Sequence, residues 1–280
     1  VALDGTGDYL ETDIGSGGLG SGDFTIEYWA YSTGIANPPS QRGHFQISAT
    51  SGGLSQASGS SLALYANDTA TEYYGYYPGG VNTSALNKEF VWQHFAYVRS
   101  NGTIKIYVDG VEAASFSNTT DFSSYRYLAI AGFYSATYVY KGYISNFRVS
   151  SGLARYTANF TPPTEDFDPA DQNTTFLALQ GNTTDDLSGN DHAVTANGNA
   201  ATTTVSPFEP VDGSDAMLDS PTNYGSGDTV RGNYCTFNPL TGSSEFTLTN
   251  GNLDVSDSGA ASPVLMGTVG VNSGKWYWEV

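Results

Sequence analysis

The chain is a succession of short alternating segments joined by turn residues, and this pattern limits it to few folds. In the run NGTIKIYVDGVEAAS (101–115), isoleucine and valine alternate with Lys105 and Tyr107 before the turn Asp109-Gly110. Asp-Gly is a favoured two-residue hairpin turn because both central residues adopt positive φ. No apolar repeat of helical period runs for a useful length. Many short strands with turns about every 8–12 residues predict an all-β, antiparallel sandwich or barrel.

Changes in composition divide the chain into two strand-rich segments. Residues 1–200 carry most of the strands, and the polar residues 201–222, with three prolines, predict a linker. Residues 223–280 form the second segment, which closes on the strand-like SGKWYWEV. A final strand with no partner after it, and the absence of an initiator methionine before Val1, predict that the chain is a fragment of a longer protein.

The net charge restricts the partners. It is −18, from 28 acidic and 10 basic residues, and neutralising nucleic-acid phosphates requires lysine and arginine. We therefore expect neither nucleic acid nor an anionic membrane surface as a partner. No stretch of about 18 apolar residues is present, so no membrane insertion is expected. The single cysteine, Cys235, excludes a disulfide within the chain.

The acidic composition also supplies ligands for calcium, which prefers several oxygens at once. The loop NTTDDLSGND (182–191) offers Asp185, Asp186 and Asn190, and Asp4 could approach it in a folded sandwich. The spacing is not that of an EF-hand. The alternative is a turn in which Asp and Asn side chains bond their own backbone.

Exposed tyrosines are the second candidate site. Sugars are held by flat aromatic faces with a few polar groups, and tyrosine offers a large contact area at low entropic cost. The alternative is that these rings pack between subunits or cover an edge of the sandwich. TEYYGYYPGG (71–80) and YSATYVYKGY (134–143) provide the candidates: Tyr73, Tyr74, Tyr76, Tyr77 and Tyr138.

Longer motifs carry a family resemblance over most of residues 1–200. They are LDGTGDYLE (3–11), SGDFTIEYWAY (21–31), WQHFAYVRSNGTIKIYVDG (92–110) and GYISNFRVSSGLARYTANFTPP (142–163). Together they resemble the laminin-G-like superfamily, which implies a concanavalin A-like, antiparallel jelly-roll β-sandwich. The last motif looks especially like modules of phage tail fibres and marine viral structural proteins.

Two further segments bear on the architecture. FLALQGNTTDDLSGNDHAVTANG (176–198) resembles a motif that usually precedes LDGTGDYL in such modules. Here it follows, so it either closes this sandwich in permuted order or opens a second repeat.

YCTFNPL (234–240) and the closing SGKWYWEV resemble the opening strands of a SPRY-type domain, which implies a partial second β-sandwich over 223–280.

The resemblance also requires a test for enzymatic activity. Some β-glucanases of the superfamily use Glu-x-Asp-x-x-Glu on one strand, which directs the carboxylates into one cleft. ETDIGS (11–16) supplies Glu11 and Asp13, but Ser16 stands at the third position. We therefore predict a protein that is not an enzyme.

The resulting prediction is a structural or adhesion protein on the virion surface, such as a phage tail fibre or surface appendage. It would act outside the cell, recognise host surface polysaccharide, contact other virion proteins and form a homo-oligomer, in which several weak sites act together. The alternatives are a purely structural virion module, such as a capsid decoration or fibre shaft, and the accessory binding domain of a secreted glycoside hydrolase.

Overall fold

The computed structural model describes most of the first two hundred residues and short stretches beyond them. These are residues 1–34, 41–51, 54, 61–67, 72–76, 81–86, 88–208, 237, 246–249, 254–257 and 266–267. The chain forms two compact units, Val1–Asp212 and Gly213–Val280. Within the described stretches, no helix has the length and apolar character needed to cross a bilayer.

Strands account for the regular structure of the residues that the structure describes in both units. In the first unit they are β1 (Ala2–Asp4), β2 (Tyr9–Asp13), β3 (Phe24–Ser32), β4 (Gln41–Ser48), β5 (Ser61–Asn67), β6 (Glu72–Tyr76), β7 (Val81–Leu86), β8 (Trp92–Ser100), β9 (Thr103–Val108), β10 (Val111–Ser117), β11 (Tyr127–Ile130), β12 (Gly132–Phe133), β13 (Ser135–Val139), β14 (Lys141–Ser151), β15 (Phe176–Ala178) and β16 (Val194–Asn197). In the second unit they are β17 (Phe246–Thr249) and β18 (Asp254–Asp257).

Two large antiparallel sheets form the first unit, which confirms the predicted concanavalin A-like sandwich. Sheet A has the order β1-β14-β3-β8-β9-β10, with β15 also paired to β14. Sheet B has the order β16-β2-β11-β4-β5-β6-β7. Because β15 pairs with β14 and β16 pairs with β2, the segment 176–198 closes this sandwich and does not open another repeat. The turn between β9 and β10 has positive φ at Asp109 and Gly110, as the sequence predicts.

The core lies between the two sheets and is built on stacked aromatic rings. The Tyr28 ring lies between those of Phe95 and Phe147, with centroid distances of 5.4 and 5.1 Å and near-parallel planes. The Tyr28 hydroxyl lies 3.1 Å from Nδ1 of His44. Burial of His44 lowers its pKa to about 3, so the imidazole is neutral in the folded protein at neutral pH.

A segment without regular structure, residues 152–171, crosses the outer face of sheet A, and we name it the strap. Its residues Tyr156 and Phe160 stack at 3.6 Å and pack against Val98 and Tyr107 of the sheet. The Phe160 amide donates to the carbonyl of Gly110 at 2.9 Å. Phe167, in the proline-rich run TPPTEDFDP (161–169), is also buried, with the Arg148 guanidinium 3.8 Å from its ring centroid, so this run belongs to the same packed layer.

Charged groups hold the strap to the sheet through Glu27, whose side chain is fully buried on β3. Its carboxylate accepts hydrogen bonds from Arg148 at 2.7 and 2.9 Å and from the Tyr156 hydroxyl at 2.8 Å. Arg155 of the strap lies 3.6 Å from the same carboxylate, and His94 Nε2 lies 3.4 Å from it. Burial alone would raise the pKa of Glu27, but the contacts with His94 and Arg148 outweigh it and lower the pKa.

The second unit contains an antiparallel pair. Strands β17 and β18 pair from Phe246 opposite Asp257 to Thr249 opposite Asp254. The closing motif SGKWYWEV lies outside the described residues. The SPRY-like assignment and the boundaries at 200 and 222 stay predictions.

Candidate functional site

A groove lies on the outer face of sheet B, where β16, β2 and β11 run side by side. Its volume is about 200 Å³. It is open to solvent. The side chains that line it from the three strands and the residue before β16 are Glu11, Asp13, Tyr127, Ala129, Ala193 and Thr195.

Alternation along β2 explains why acidic side chains reach this face. Leu10 is fully buried in the core between the sheets. Successive side chains of a strand point to opposite faces, so Glu11 and Asp13 both point away from the core. The two carboxylates that the sequence suggested are thus placed together by the strand.

The register of the three strands arranges the groove in rows. Ala129 and Thr195 lie on either side of Glu11, on β11 and β16. Ala129 is itself buried in a cluster with Leu54 and Val139. The half-buried Tyr127 ring lies in the next row, opposite Asp13.

An ion pair fixes one end of the groove. Arg126 Nε donates to Oδ1 of Asp13 at 2.6 Å, and its Nη2 donates to Oδ2 of the same carboxylate. Hydrogen bonding to Arg126 lowers the pKa of Asp13. The Arg126 guanidinium also lies 5.4 Å from the Tyr127 ring centroid. Asp13 is therefore an ionised partner of arginine, and the tyrosine ring is held beside it.

Glu11, in the middle of the groove, is in a different environment. The amide of Asn197 donates to its carboxylate at 3.4 Å. Among the described residues, no lysine, arginine or histidine forms an ion pair with it. Burial, and then the charge of Glu11, raises the pKa of the neighbouring Tyr9 hydroxyl. Glu11 thus offers a carboxylate with free acceptor capacity.

The small sheet of β12 and β13 borders the groove. Val139 of this sheet packs in one cluster with Ala129 and Leu54, and Tyr9 packs against that cluster. The backbone of Tyr134 has a φ of +63°, and its amide donates to Oε1 of Gln46 at 2.7 Å. These contacts cover the middle of sheet B and bury Ala129 of β11.

The predicted sugar-binding tyrosines fall in two places. Tyr138 is half-buried on β13, and its ring lies 6.1 Å from that of Tyr134. Tyr73, Tyr74 and Tyr76 have their backbones on β6, but their side chains lie outside the described residues, as does all of Tyr77. Their role in binding sugar stays a prediction.

Within the predicted calcium loop, the side chains bond their neighbours. Asp186 accepts hydrogen bonds from the amides of Leu177, Ser188 and His192, at 3.0, 2.9 and 3.1 Å. Burial would raise its pKa, but these bonds outweigh burial and lower it. The remaining two predicted ligands also bond nearby groups: Asp185 to the Thr183 hydroxyl at 2.7 Å and Asn190 to the Thr175 carbonyl at 2.9 Å.

Asp4 lies away from this loop. It pairs with Lys141 near the start of β14, whereas Leu177, which bonds Asp186, pairs with Arg148 of the same strand. At about 3.3 Å per residue, these positions are roughly 20 Å apart. The described residues contain no group of three or more His, Cys, Asp or Glu side chains placed to hold a metal. Calcium binding stays a prediction, with Asp4 separate from the other three residues.

The groove contains residues to which no sequence motif points, above all Tyr127 and Thr195. Tyr127 opens the short run YLAI (127–130), which is typical of a strand and carries no motif. An outward-facing aromatic residue at the start of an apolar strand is only a weak indication of a binding site. Neighbouring positions across β2 and β16 could not have been inferred, because the two strands come from opposite ends of the unit.

Comparison with known proteins gives a family and a fold. The family model described as the concanavalin A-like lectin/glucanases superfamily matches residues 4–154, more than half of the chain. No curated protein matches the chain. Among solved structures, a candidate carbohydrate binding protein from Bacteroides ovatus is similar with a TM-score of 0.50 and 16% identity over 71% of this chain. The match spans 60% of that protein, and it establishes the fold.

Two further structures are similar at lower scores. Domain 4 of AbnA, a GH43 extracellular arabinanase from Geobacillus stearothermophilus in complex with arabinotriose, has a TM-score of 0.39 and 15% identity. The match covers 55% of this chain and 70% of that one. Domains LG4-5 of the mouse laminin alpha1 chain have a TM-score of 0.36 and 13% identity, over 57% of this chain and 48% of that one.

Proposed function

The chain belongs to the concanavalin A-like lectin/glucanases superfamily, and from this premise we propose that its first unit binds carbohydrate in the groove on sheet B. The observation that carries the proposal is the half-buried Tyr127 ring beside a carboxylate with free acceptor capacity, Glu11. A sugar ring presents an apolar face and a rim of hydroxyl donors. Stacking on Tyr127 with hydrogen bonds to Glu11 and Thr195 would satisfy both, as expected of a mostly preformed site.

The biological setting we propose is adhesion by a virion. The motif ending ARYTANFTPP resembles phage and viral fibre modules, and a net charge of −18 suits a soluble surface protein. The ligand would then be a host surface polysaccharide, and the site would be extracellular. Oligomerisation would raise the avidity of a weak single site.

We propose binding without catalysis. Retaining and inverting glycosidases need one carboxylic acid that is protonated to assist the leaving group. Asp13 cannot easily take that role, because its hydrogen bonds to Arg126 lower its pKa. Asp13 fits only the ionised partner, and Ser16 stands at the third acidic position of the Glu-x-Asp-x-x-Glu motif, which therefore lacks its second glutamate.

Changing Tyr127 to alanine is expected to weaken glycan binding at least about tenfold, since truncating a central aromatic anchor costs about 2 kcal/mol or more. The measurement is retention of the purified chain on bacterial cells and on isolated surface polysaccharides, with soluble glycan as competitor. Tyr143→Ala, which removes a half-buried tyrosine from the outer face of sheet A, is the matched control and should retain binding.

Two results would contradict this assignment. Equal loss of binding in both tyrosine variants would show that the groove is not the site. Absence of saturable binding by the unaltered chain, even when clustered on beads, would favour the structural virion module over the adhesin.

Calcium is proposed as an ion of the 182–191 loop, with Asp185, Asp186 and Asn190 as its ligands. If the ion is present, chelation should lower the melting temperature, because a ligand that binds only the folded state stabilises it. The measurement is a thermal melt of the full chain with calcium and with chelator at matched ionic strength. Identical melts, or an equal response in an Asp185→Asn variant, would count against a site in this loop.

A further inference from the structure

We propose that the groove selects neutral or amino sugars and rejects sugars that carry a carboxylate, and that Glu11 is the residue which determines this choice. The inference rests on the proposed glycan binding and names the ligand class of that site. The inference follows from the charges along the groove. The tyrosine ring alone would bind neutral and charged sugars alike.

The first step concerns the charges that face the ligand. Glu11 and Asp13 both point into the groove from β2. Arg126 is the cation at this end, and it is paired through two nitrogens with Asp13. No other lysine or arginine lines the groove among the residues that the structure describes. His192, whose charge also lowers the pKa of Asp13, is paired through Nδ1 with Asp186 at 2.6 Å. An anionic sugar therefore meets the unpaired carboxylate of Glu11, while the described cations beside the groove are already paired with Asp13 and Asp186.

The second step concerns what Glu11 can bond. An ionised carboxylate has about four acceptor positions and no donor. Asn197 uses one of these positions at 3.4 Å. The rest suit hydroxyl groups, and an ammonium group would form a shorter, charge-assisted bond. A sugar carboxylate at the same place offers only acceptors, so both groups would lose water without forming a hydrogen bond.

The third step concerns position. Glu11 lies between Ala129 and Thr195 in one row across the strands, and Tyr127 lies in the adjacent row. A sugar stacked on the tyrosine ring thus has its hydroxyl rim next to the carboxylate. Asp13, directly opposite the ring, is paired with Arg126, so Glu11 in the adjacent row is the unpaired carboxylate next to such a sugar and determines specificity as well as affinity.

The test compares glycans that share a backbone and differ in charge. Free and methyl-esterified homogalacturonan form one pair, and chitosan and N-acetylated chitin oligomers form a second, with lactose and sialyllactose as a third. Binding of the full chain is measured on an array carrying all six. We expect each neutral or amino form that binds to be preferred at least tenfold over a carboxylated form, and chitosan to bind no more weakly than chitin.

The variants separate local from overall charge. Glu11→Gln keeps the shape and removes the charge, so the preference against carboxylates should fall at least fivefold. Glu112→Gln removes one charge from an exposed position on β10 of sheet A and should leave the preference unchanged. The same change in both variants would attribute the preference to the net charge of the protein and overturn the proposal.

The remaining outcomes are also decisive. Carboxylated glycans that bind as well as their neutral partners would overturn the inference while leaving glycan binding intact. A chain that binds none of the six probes, nor any bacterial polysaccharide, would overturn the proposed function and this inference with it. The two failures are therefore distinguishable in one experiment.

Discussion

Replacement of Glu27 by alanine is expected to lower the free energy of unfolding by about 3–5 kcal/mol, since it removes one partner of a buried ion pair and leaves the other charge unpaired. Arg148 bonds Glu27 at 2.7 and 2.9 Å, and among the described residues its one remaining ion-pair partner would be the more distant Asp171, at 3.7 Å. The Tyr156 hydroxyl would lose its acceptor, and with it a link between the strap and the sheet. Urea unfolding followed by tryptophan fluorescence measures the change.

Two controls separate this effect from general loss of charge. Glu27→Gln keeps the volume and one acceptor oxygen, so the loss should be smaller than in the alanine variant. Glu112→Ala breaks the exposed pair with Lys105 and should leave the unfolding midpoint within error, as expected of a surface ion pair. A Glu27→Ala protein as stable as the Glu112→Ala protein would show that the buried cluster does not hold the strap.

Tyr28→Ala is the second substitution with a large expected effect, about 3–5 kcal/mol, because it leaves a cavity between the rings of Phe95 and Phe147. The conservative Tyr28→Phe change keeps the stack and removes only the hydroxyl beside His44 Nδ1. Its cost should be about 1–3 kcal/mol, the penalty for a buried group that loses a partner. Thermal melts of the two variants side by side give the comparison.

The difference in stability between Tyr28→Ala and Tyr28→Phe separates the contribution of the stacked rings from that of the hydroxyl. A Tyr28→Phe protein as unstable as Tyr28→Ala would assign the stability to the contact with His44 and not to the stacked rings. Because the folded state keeps His44 neutral, protonation of the unfolded chain also favours unfolding as the pH falls below about 6.5. Both thermal melts should therefore be recorded at pH 7 or above.

Much of the fold could be predicted because local signals agree with it. The alternation of 101–108 and the Asp109-Gly110 turn fix the β9–β10 hairpin, and the laminin-G-like motifs lie on strands of the observed sandwich. The strap was not predicted, since its prolines are typical of a boundary. Its packing depends on Glu27, which reads in the sequence as an outward polar residue of β3 and is in fact buried.

The site was less accessible to sequence reasoning than the fold. In the sequence, Glu11 and Asp13 suggest only a pair of catalytic carboxylates. Their spacing does not indicate which side chains of other strands lie next to them. That Ala129 and Thr195 flank Glu11 depends on the pairing of three strands that are distant in sequence. Pairing of this kind is set by long-range packing, which no local pattern reports.

The pairing of β16 with β2 also has a consequence for biosynthesis. One wall of the groove comes from near the start of the unit and the other from its last strand, so a nascent chain has no complete groove until Asn197 has left the ribosome. Such distant pairings form slowly, because the closure of a long loop precedes any gain from the contact. Prematurely terminated chains would therefore carry Tyr127 and Glu11 without Thr195 and Asn197 of the opposing wall.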